Sequence, residues 1–143
     1  MAQFLTTLIN SANGVPAVNG TLVQVGTLDL PPGQWIVDGE GWINITSGTP
    51  AMQLVAAKLS VGDLGSVTEP ALDEASNIIT LSMSSSTKST AGFALPLNSL
   101  YLDSRANETI FLGVRCDWTG TGTLNLYGQI TARRQDVPMY LPA

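Results

Sequence analysis

Apolar and polar residues alternate over much of this chain of 143 residues, a pattern typical of β-strands that bury one face. The clearest stretch runs from Thr109 to Trp118, where every second residue from Ile110 onward is apolar. The segment from Thr123 to Arg133 alternates in the same way. Only the short link Thr119–Gly122 separates the two segments, so we predict that they pair with each other as a hairpin.

Shorter runs predict the remaining strands. In the segment Trp35–Thr46 the apolar face is interrupted by Gly39 and Gly41, which indicates a bulge or a close approach of another part of the backbone. The segment Leu22–Leu30 changes phase at Gly26, and a bulge there would place its apolar residues on one face. Further strands are expected at residues 52–61, 79–83 and 92–102, and loops at residues 62–77 and 84–86.

Clusters of Gly, Pro, Asn and Ser separate these segments at short intervals, and no stretch keeps a helical stripe over three turns. About eight short strands with regular turn signals predict an all-β fold, an antiparallel jelly-roll β-sandwich. We expect one domain over residues 19–134, with an N-terminal arm (residues 1–18) before it and a C-terminal tail (residues 135–143) after it.

The charge pattern excludes several classes of partner. Charged residues make up 12% of the chain, the net charge is −5, and the first basic side chain is Lys58. A basic surface for phosphates is therefore missing, and we expect no direct nucleic-acid binding. We also expect neither a secretory leader nor a membrane span, because the start lacks basic residues and no apolar run approaches about 18 residues. The mean hydropathy of +0.21 favours apolar surface that identical subunits cover.

The usual catalytic groups are missing from the sequence. The chain has no histidine and one cysteine, Cys116, which excludes Ser-His-Asp and Cys-His sites in their common forms and zinc sites built from several thiolates. No glycine-rich phosphate-binding motif occurs. We therefore predict a protein that is not an enzyme and that holds neither a cofactor nor a metal.

Three residues of one strand are the remaining candidates for ligand chemistry. Asp38, Glu40 and Trp42 lie two apart, so they project from the same strand face. Two carboxylates beside an aromatic ring suit a sugar-binding surface or a glycosidase pair, although a solvated strand face explains them as well. Trp35 and Trp118 fall on apolar faces and are interpreted as core residues.

An acidic loop offers a second candidate. Calcium prefers oxygen ligands, and four carboxylates occur close together in the loop, but their spacing is irregular and we interpret them as a solvated acidic segment. The four residues are Asp63, Glu69, Asp73 and Glu74.

Two parts of the chain resemble a known group of proteins. The segment Leu30–Gly39 contains Pro-Gly-x-Trp-x-Val-x-Gly. The second part consists of Glu108–Val114 followed by Thr123–Arg134, which ends in Tyr-Gly-x-Ile-x-Ala-Arg-Arg. These motifs resemble those of small bacteriophage virion proteins, whose fold is similar to the jelly roll of the tumour necrosis factor and C1q group, which trimerises about a three-fold axis. The resemblance covers most of residues 20–134, and residues 62–89 depart from it.

The resemblance implies a bacteriophage structural protein made in the cytoplasm of the bacterial host. We expect a homotrimeric capsid decoration (cement) protein that binds the major capsid protein on the outer surface of the head and stabilises contacts between capsomers. The alternative is a tail or head-fibre tip module that binds a host receptor or glycan near Asp38, Glu40 and Trp42. The apolar residues of the arm and tail are the expected capsid contacts: Phe4, Leu5, Leu8 and Ile9, and Met139, Tyr140 and Leu141.

Overall fold

A computed structural model describes residues 4–9, 14–62, 76–87, 92–97 and 99–135. Those ranges contain ten strands and no helix, and hence none that could span a membrane. The strands are β1 (Phe4–Ile9), β2 (Val15–Pro16), β3 (Thr21–Leu30), β4 (Gly33–Gly48), β5 (Ala51–Val61), β6 (Ser76–Thr87), β7 (Gly92–Pro96), β8 (Leu100–Ser104), β9 (Glu108–Thr119) and β10 (Gly122–Arg134).

The strands form two antiparallel sheets that pack face to face. Sheet A has the order β1-β10-β4-β7, with β2 also paired to β10 and β8 also paired to β4. Sheet B has the order β3-β9-β5-β6. The apolar faces of the two sheets bury each other, because each strand alternates between inward and outward side chains.

A folded two-stranded ribbon organises both sheets. In sheet A, β4 pairs with β10, and in sheet B their chain neighbours β5 and β9 pair with each other. The ribbon passes from one sheet to the other where β4 leads into β5 and β9 leads into β10. The Thr49 amide donates to the Thr121 carbonyl at 3.1 Å and ties the two crossings together. This folded ribbon is the defining feature of a jelly roll, so the predicted all-β antiparallel jelly-roll sandwich is confirmed.

The predicted hairpin between the last two long strands is wrong. β9 pairs with β3 and β5, whereas β10 pairs with β1, β2 and β4. The link Thr119–Gly122 is a corner between sheets. Alternation shows that each strand buries one face, but it does not say which strand lies beside it. On either side of this corner, β9 pairs with β5 and β10 pairs with β4.

The core lies between the sheets and follows the predicted alternation. Trp35 is 1% exposed and belongs to it, while Trp118 is half-buried and packs against its rim. The register between β3 and β9 shifts between Gln24 and Gly26, which confirms the predicted bulge. Val25, which the register skips, and Leu28 and Leu30 after it are buried, whereas Val23 is half-buried and packs against the core.

The glycines within β4 mark a close approach between the sheets. A Cβ atom on Gly41 would lie 2.9 Å from Val114 Cγ2 and 3.2 Å from Ala57 Cβ, both in sheet B. A Cβ atom on Gly39 would lie 3.2 Å from Leu59 Cδ1. The glycines therefore occupy inward positions where the opposite sheet leaves no room for a side chain.

The segment predicted as an arm contains two strands of sheet A. β1 and β2 pair with the edge of β10 that β4 leaves free, and so satisfy backbone groups that an open edge would expose.

Two loop and strand predictions also change. Residues 84–86 lie within β6, and the strand expected at residues 92–102 is divided into β7 and β8. Both run along β4, and the break follows Pro96, which has no amide hydrogen to donate.

Candidate functional site on the outer face of sheet A

The outward positions of β4 carry the three residues predicted as a ligand site. Asp38, Glu40 and Trp42 are all half-buried and alternate with inward residues, so they share the outer face of sheet A as predicted. Their neighbours on β10, which the sequence did not identify, are Thr131, Gln129 and Tyr127 in that order. The register of β4 against β10 brings these six residues together in three rows.

Trp42 connects the aromatic part of this face to its acidic part. Its Nε1–H donates to Glu40 Oε1 at 2.7 Å. Its ring meets the Tyr127 ring edge to face, with centroids 5.4 Å apart and planes at 62°. The aromatic pair holds the indole in place, and the indole in turn fixes the position of the Glu40 carboxylate.

Asp38 is held in a similar way from the other side. Ser99, at the break between β7 and β8, donates its hydroxyl to Asp38 Oδ1. Neither Asp38 nor Glu40 forms an ion pair within the part of the chain that the structure describes. The nearest cation by register is Arg133, one row away on β10 beside Ile36, and it is exposed. The two carboxylates thus present oriented acceptor oxygens to solvent.

A shallow depression lies between these strands. Its volume is about 110 Å³, and its lining residues are Asp38, Gly39, Glu40, Gln129 and Thr131. This volume is well below the roughly 300–1,000 Å³ of typical small-molecule sites. The two carboxylates lie side by side on one strand, with no enclosed cleft between them that could exclude water from a sugar bond. The geometry suits binding of a small donor group and gives no support to a glycosidase reaction.

The predicted capsid contacts fall in different places. Leu5 is half-buried and packs against the core of its own subunit. The backbones of Phe4, Leu8 and Ile9 pair with β10, opposite residues 133, 129 and 128. For those three residues the structure describes the backbone and not the side chains. Outside the described part of the chain are the tail residues Met139, Tyr140 and Leu141 and the acidic loop residues Asp63, Glu69, Asp73 and Glu74.

Arg134 stabilises the turn before β4. Its Nη2 donates to the Pro32 carbonyl at 3.0 Å, and its guanidinium carbon lies 4.9 Å from the centroid of the Trp35 ring. Trp35 Nε1 donates to the Pro31 carbonyl at 2.9 Å. Arg134 reaches this turn because β10 ends beside it, where Arg134 pairs with Trp35.

The single thiol has no reactive character. Cys116 is 1% exposed, and burial, with a smaller contribution from Asp117, raises the pKa of its thiol to about 12. The neutral thiol therefore dominates at neutral pH, and a neutral thiol is a poor nucleophile. Within the described ranges no three Cys, Asp or Glu residues come together in a group that could hold a metal ion.

The sheet order and the folded ribbon define the jelly-roll class of β-sandwich, which occurs among viral capsid and lectin domains. A chain in a structure of infectious bursal disease virus, Gx strain, has a similar fold, with a TM-score of 0.54 and 9% sequence identity. The similarity covers 97% of this chain and 33% of the viral chain. A crystal structure of the VP2 subviral particle of the same virus is similar over 93% and 33%, with a TM-score of 0.51 and 12% identity.

The chain spans about a third of the length of these two viral chains. At such low identity the similarity concerns the fold. The sequence matches no protein-family model and no curated protein sequence.

Proposed function

We propose that this protein is a non-enzymatic structural component of a virion. The observation that carries the proposal is the jelly roll with its similarity, over nearly the whole chain, to chains of a virus particle. The absence of histidine from the sequence and the shallow outer face of sheet A are in keeping with it. On this proposal the function of the domain is to occupy and join surfaces.

The finer proposal is a homotrimeric decoration (cement) protein on the outer surface of a bacteriophage head. It is supported by the resemblance of the Leu30–Gly39 and Leu126–Arg134 motifs to small phage virion proteins. The apolar sequence, with its mean hydropathy of +0.21, favours further burial between subunits. In this role the protein binds the major capsid protein and reinforces contacts between capsomers.

The proposal is tested by looking for the protein in the virus particle that assembles in cells producing it. A density map of that particle should show the jelly roll at the outer surface of the head, in contact with more than one capsomer. Density at a tail or fibre tip would contradict the decoration role and favour receptor binding. Density nowhere on the particle would contradict the structural role itself.

The native mass tests the trimer separately. Three chains of 15.0 kDa give a particle of about 45 kDa, which light scattering after size exclusion distinguishes from a monomer. A stable monomer at concentrations that saturate the particle would contradict a trimer formed before assembly.

The arm and tail are tested with variants that keep the fold. Deleting residues 1–18 would remove β1 and β2 from sheet A, so a loss of binding would not be specific. Phe4→Ser with Leu8→Ser leaves the backbone pairing of β1 possible, and a stop after Gln135 removes the tail. Each variant should be retained on particles less well than Thr6→Ser, the control in the same strand. Equal retention would contradict a contact role for that segment.

A further inference from the structure

The outer face of sheet A combines two carboxylates with an aromatic pair, and Gln129 and Thr131 lie opposite the carboxylates on β10. Asp38 and Glu40 each receive one side-chain hydrogen bond, from Ser99 and Trp42 respectively. An ionised carboxylate accepts about four hydrogen bonds, so most of its acceptor capacity faces solvent. A ligand that complements this face must therefore supply several donors within a small volume.

We propose that this face docks an arginine side chain of the protein to which the subunit attaches. The guanidinium group lies between the Asp38 and Glu40 carboxylates and beside the Trp42 ring. This inference rests on the proposed structural role, since it names the chemistry of the partner surface. A guanidinium presents five N–H donors in a planar fork and pairs with carboxylates in a bidentate manner.

Charge complementarity supports a cationic occupant. The protein carries a net charge of −5, and neither Asp38 nor Glu40 has an ion-pair partner among the described residues. Successive outward residues of a strand are roughly 6.6 Å apart along the backbone, so one cation can contact both carboxylates. A positive partner surface would also steer the two proteins together during assembly.

The dimensions of the site favour the end of a side chain over a free ligand. The depression of about 110 Å³ is too small to enclose a sugar ring, and Gly39, which has no side chain, is one of its lining residues. The Trp42 ring is not part of that lining, but its hydrogen bond holds it next to Glu40, where it offers a cation–π contact to a guanidinium. The molecule already uses that geometry elsewhere, where the Arg134 guanidinium lies 4.9 Å from the centre of the Trp35 ring.

The Trp42 indole provides a direct signal for binding. Because its N–H donates to Glu40 Oε1, a guanidinium that binds Glu40 must change the environment of that proton. In ¹H–¹⁵N spectra of the intact protein, the blocked peptide acetyl-Gly-Arg-Gly-amide should shift the Trp42 indole resonance saturably. The Trp42→Phe variant assigns the resonance, since the chain has only three tryptophans.

Matched variants and probes make the test specific. Glu40→Gln keeps an acceptor for Trp42 but removes the charge, and it should weaken the arginine peptide about tenfold or more. Asp29→Asn is the control. It removes the same charge from a carboxylate that also accepts a side-chain hydrogen bond, from Thr109, but that lies in sheet B. It should change the affinity less than twofold. The citrulline peptide, which lacks the charge, should not bind measurably.

The outcomes separate this inference from the proposed function. An unchanged indole resonance with the arginine peptide overturns the inference, as does equal binding by Asp29→Asn and Glu40→Gln. A shift with methyl α-glucoside but not with the arginine peptide overturns it in favour of a sugar surface. Particle retention is measured independently. If Glu40→Gln is retained as well as the wild type, the arginine contact is wrong and the structural role stands. If the wild type itself does not bind the particle, the proposed function fails.

Discussion

Gly41 is a position on sheet A where even the smallest added side chain should be costly, because side chains of sheet B lie directly against it. A Cβ atom there would lie 2.9 Å from Val114 Cγ2 and 3.2 Å from Ala57 Cβ, and Val114 and Ala57 are both 0% exposed. A buried methyl forced into a packed core costs about 1–3 kcal/mol. Replacing glycine lowers the entropy of the unfolded chain and returns about 0.4–1 kcal/mol. Gly41→Ala should therefore lower the free energy of unfolding by about 1–2 kcal/mol.

A second substitution tests whether the contact with Val114 is the cause. Val114→Ala alone removes two buried methyl groups and should cost about 1.6 kcal/mol before any cavity contribution, at ~0.8 kcal/mol per group. In the double variant the methyl group added at position 41 fills part of the space that the Val114 side chain vacated. The double variant should be more stable than the sum of the two single effects predicts, by about 1 kcal/mol.

Urea unfolding followed by tryptophan fluorescence measures these differences, and thermal unfolding should show a shift of about 2–4 °C per kcal/mol. Gly20→Ala serves as the control. Gly20 has a φ of 76° and open space around its Cβ position, so its cost should come from the backbone and add to that of Val114→Ala without coupling. Strict additivity of Gly41→Ala and Val114→Ala, or a stabilising Gly41→Ala, would refute the account of sheet packing.

Substitutions at three further positions test other parts of the structure. Burial raises the pKa of the Cys116 thiol from 9.0 to about 12, so between pH 9 and pH 11 the unfolded chain loses this proton and the folded chain keeps it. The free energy of unfolding should therefore fall by about 1 kcal/mol per pH unit over that range. Urea unfolding at each pH measures this slope, and Cys116→Ala should remove it. The Asn19 side chain exchanges two hydrogen bonds with the Trp118 backbone, at 2.7 Å and 3.0 Å. Asn19→Ala should therefore lower the unfolding free energy by about 1–3 kcal/mol, and no change would show that water replaces both bonds. Trp35→Phe keeps an aromatic ring but loses the 2.9 Å hydrogen bond to the Pro31 carbonyl, so the free energy of unfolding should fall by about 1 kcal/mol. Trp35→Ala removes the buried ring as well and should lower it by about 3–5 kcal/mol. Thermal unfolding measures both.

The sequence by itself determined the fold class and the faces of the strands. A period of two in apolar residues is a local property, because it follows from the geometry of each strand. For this reason Trp35 could be assigned to the core, and Asp38, Glu40 and Trp42 to one outer face. The bulge at Gly26 was predictable for the same reason, since an extra residue changes the phase of the pattern in the strand that contains it.

Only the tertiary structure decided which strands are neighbours. β9 and β10 follow each other in the chain yet lie in different sheets, and the arm segment joins sheet A through β1 and β2. Strand pairing depends on backbone hydrogen bonds that nearly every residue can form, so side-chain patterns carry little information about partners. The candidate site depends on that choice. Tyr127 and Gln129 reach Trp42 and Glu40 because β10 lies beside β4, a contact between residues more than eighty positions apart that no local pattern could reveal.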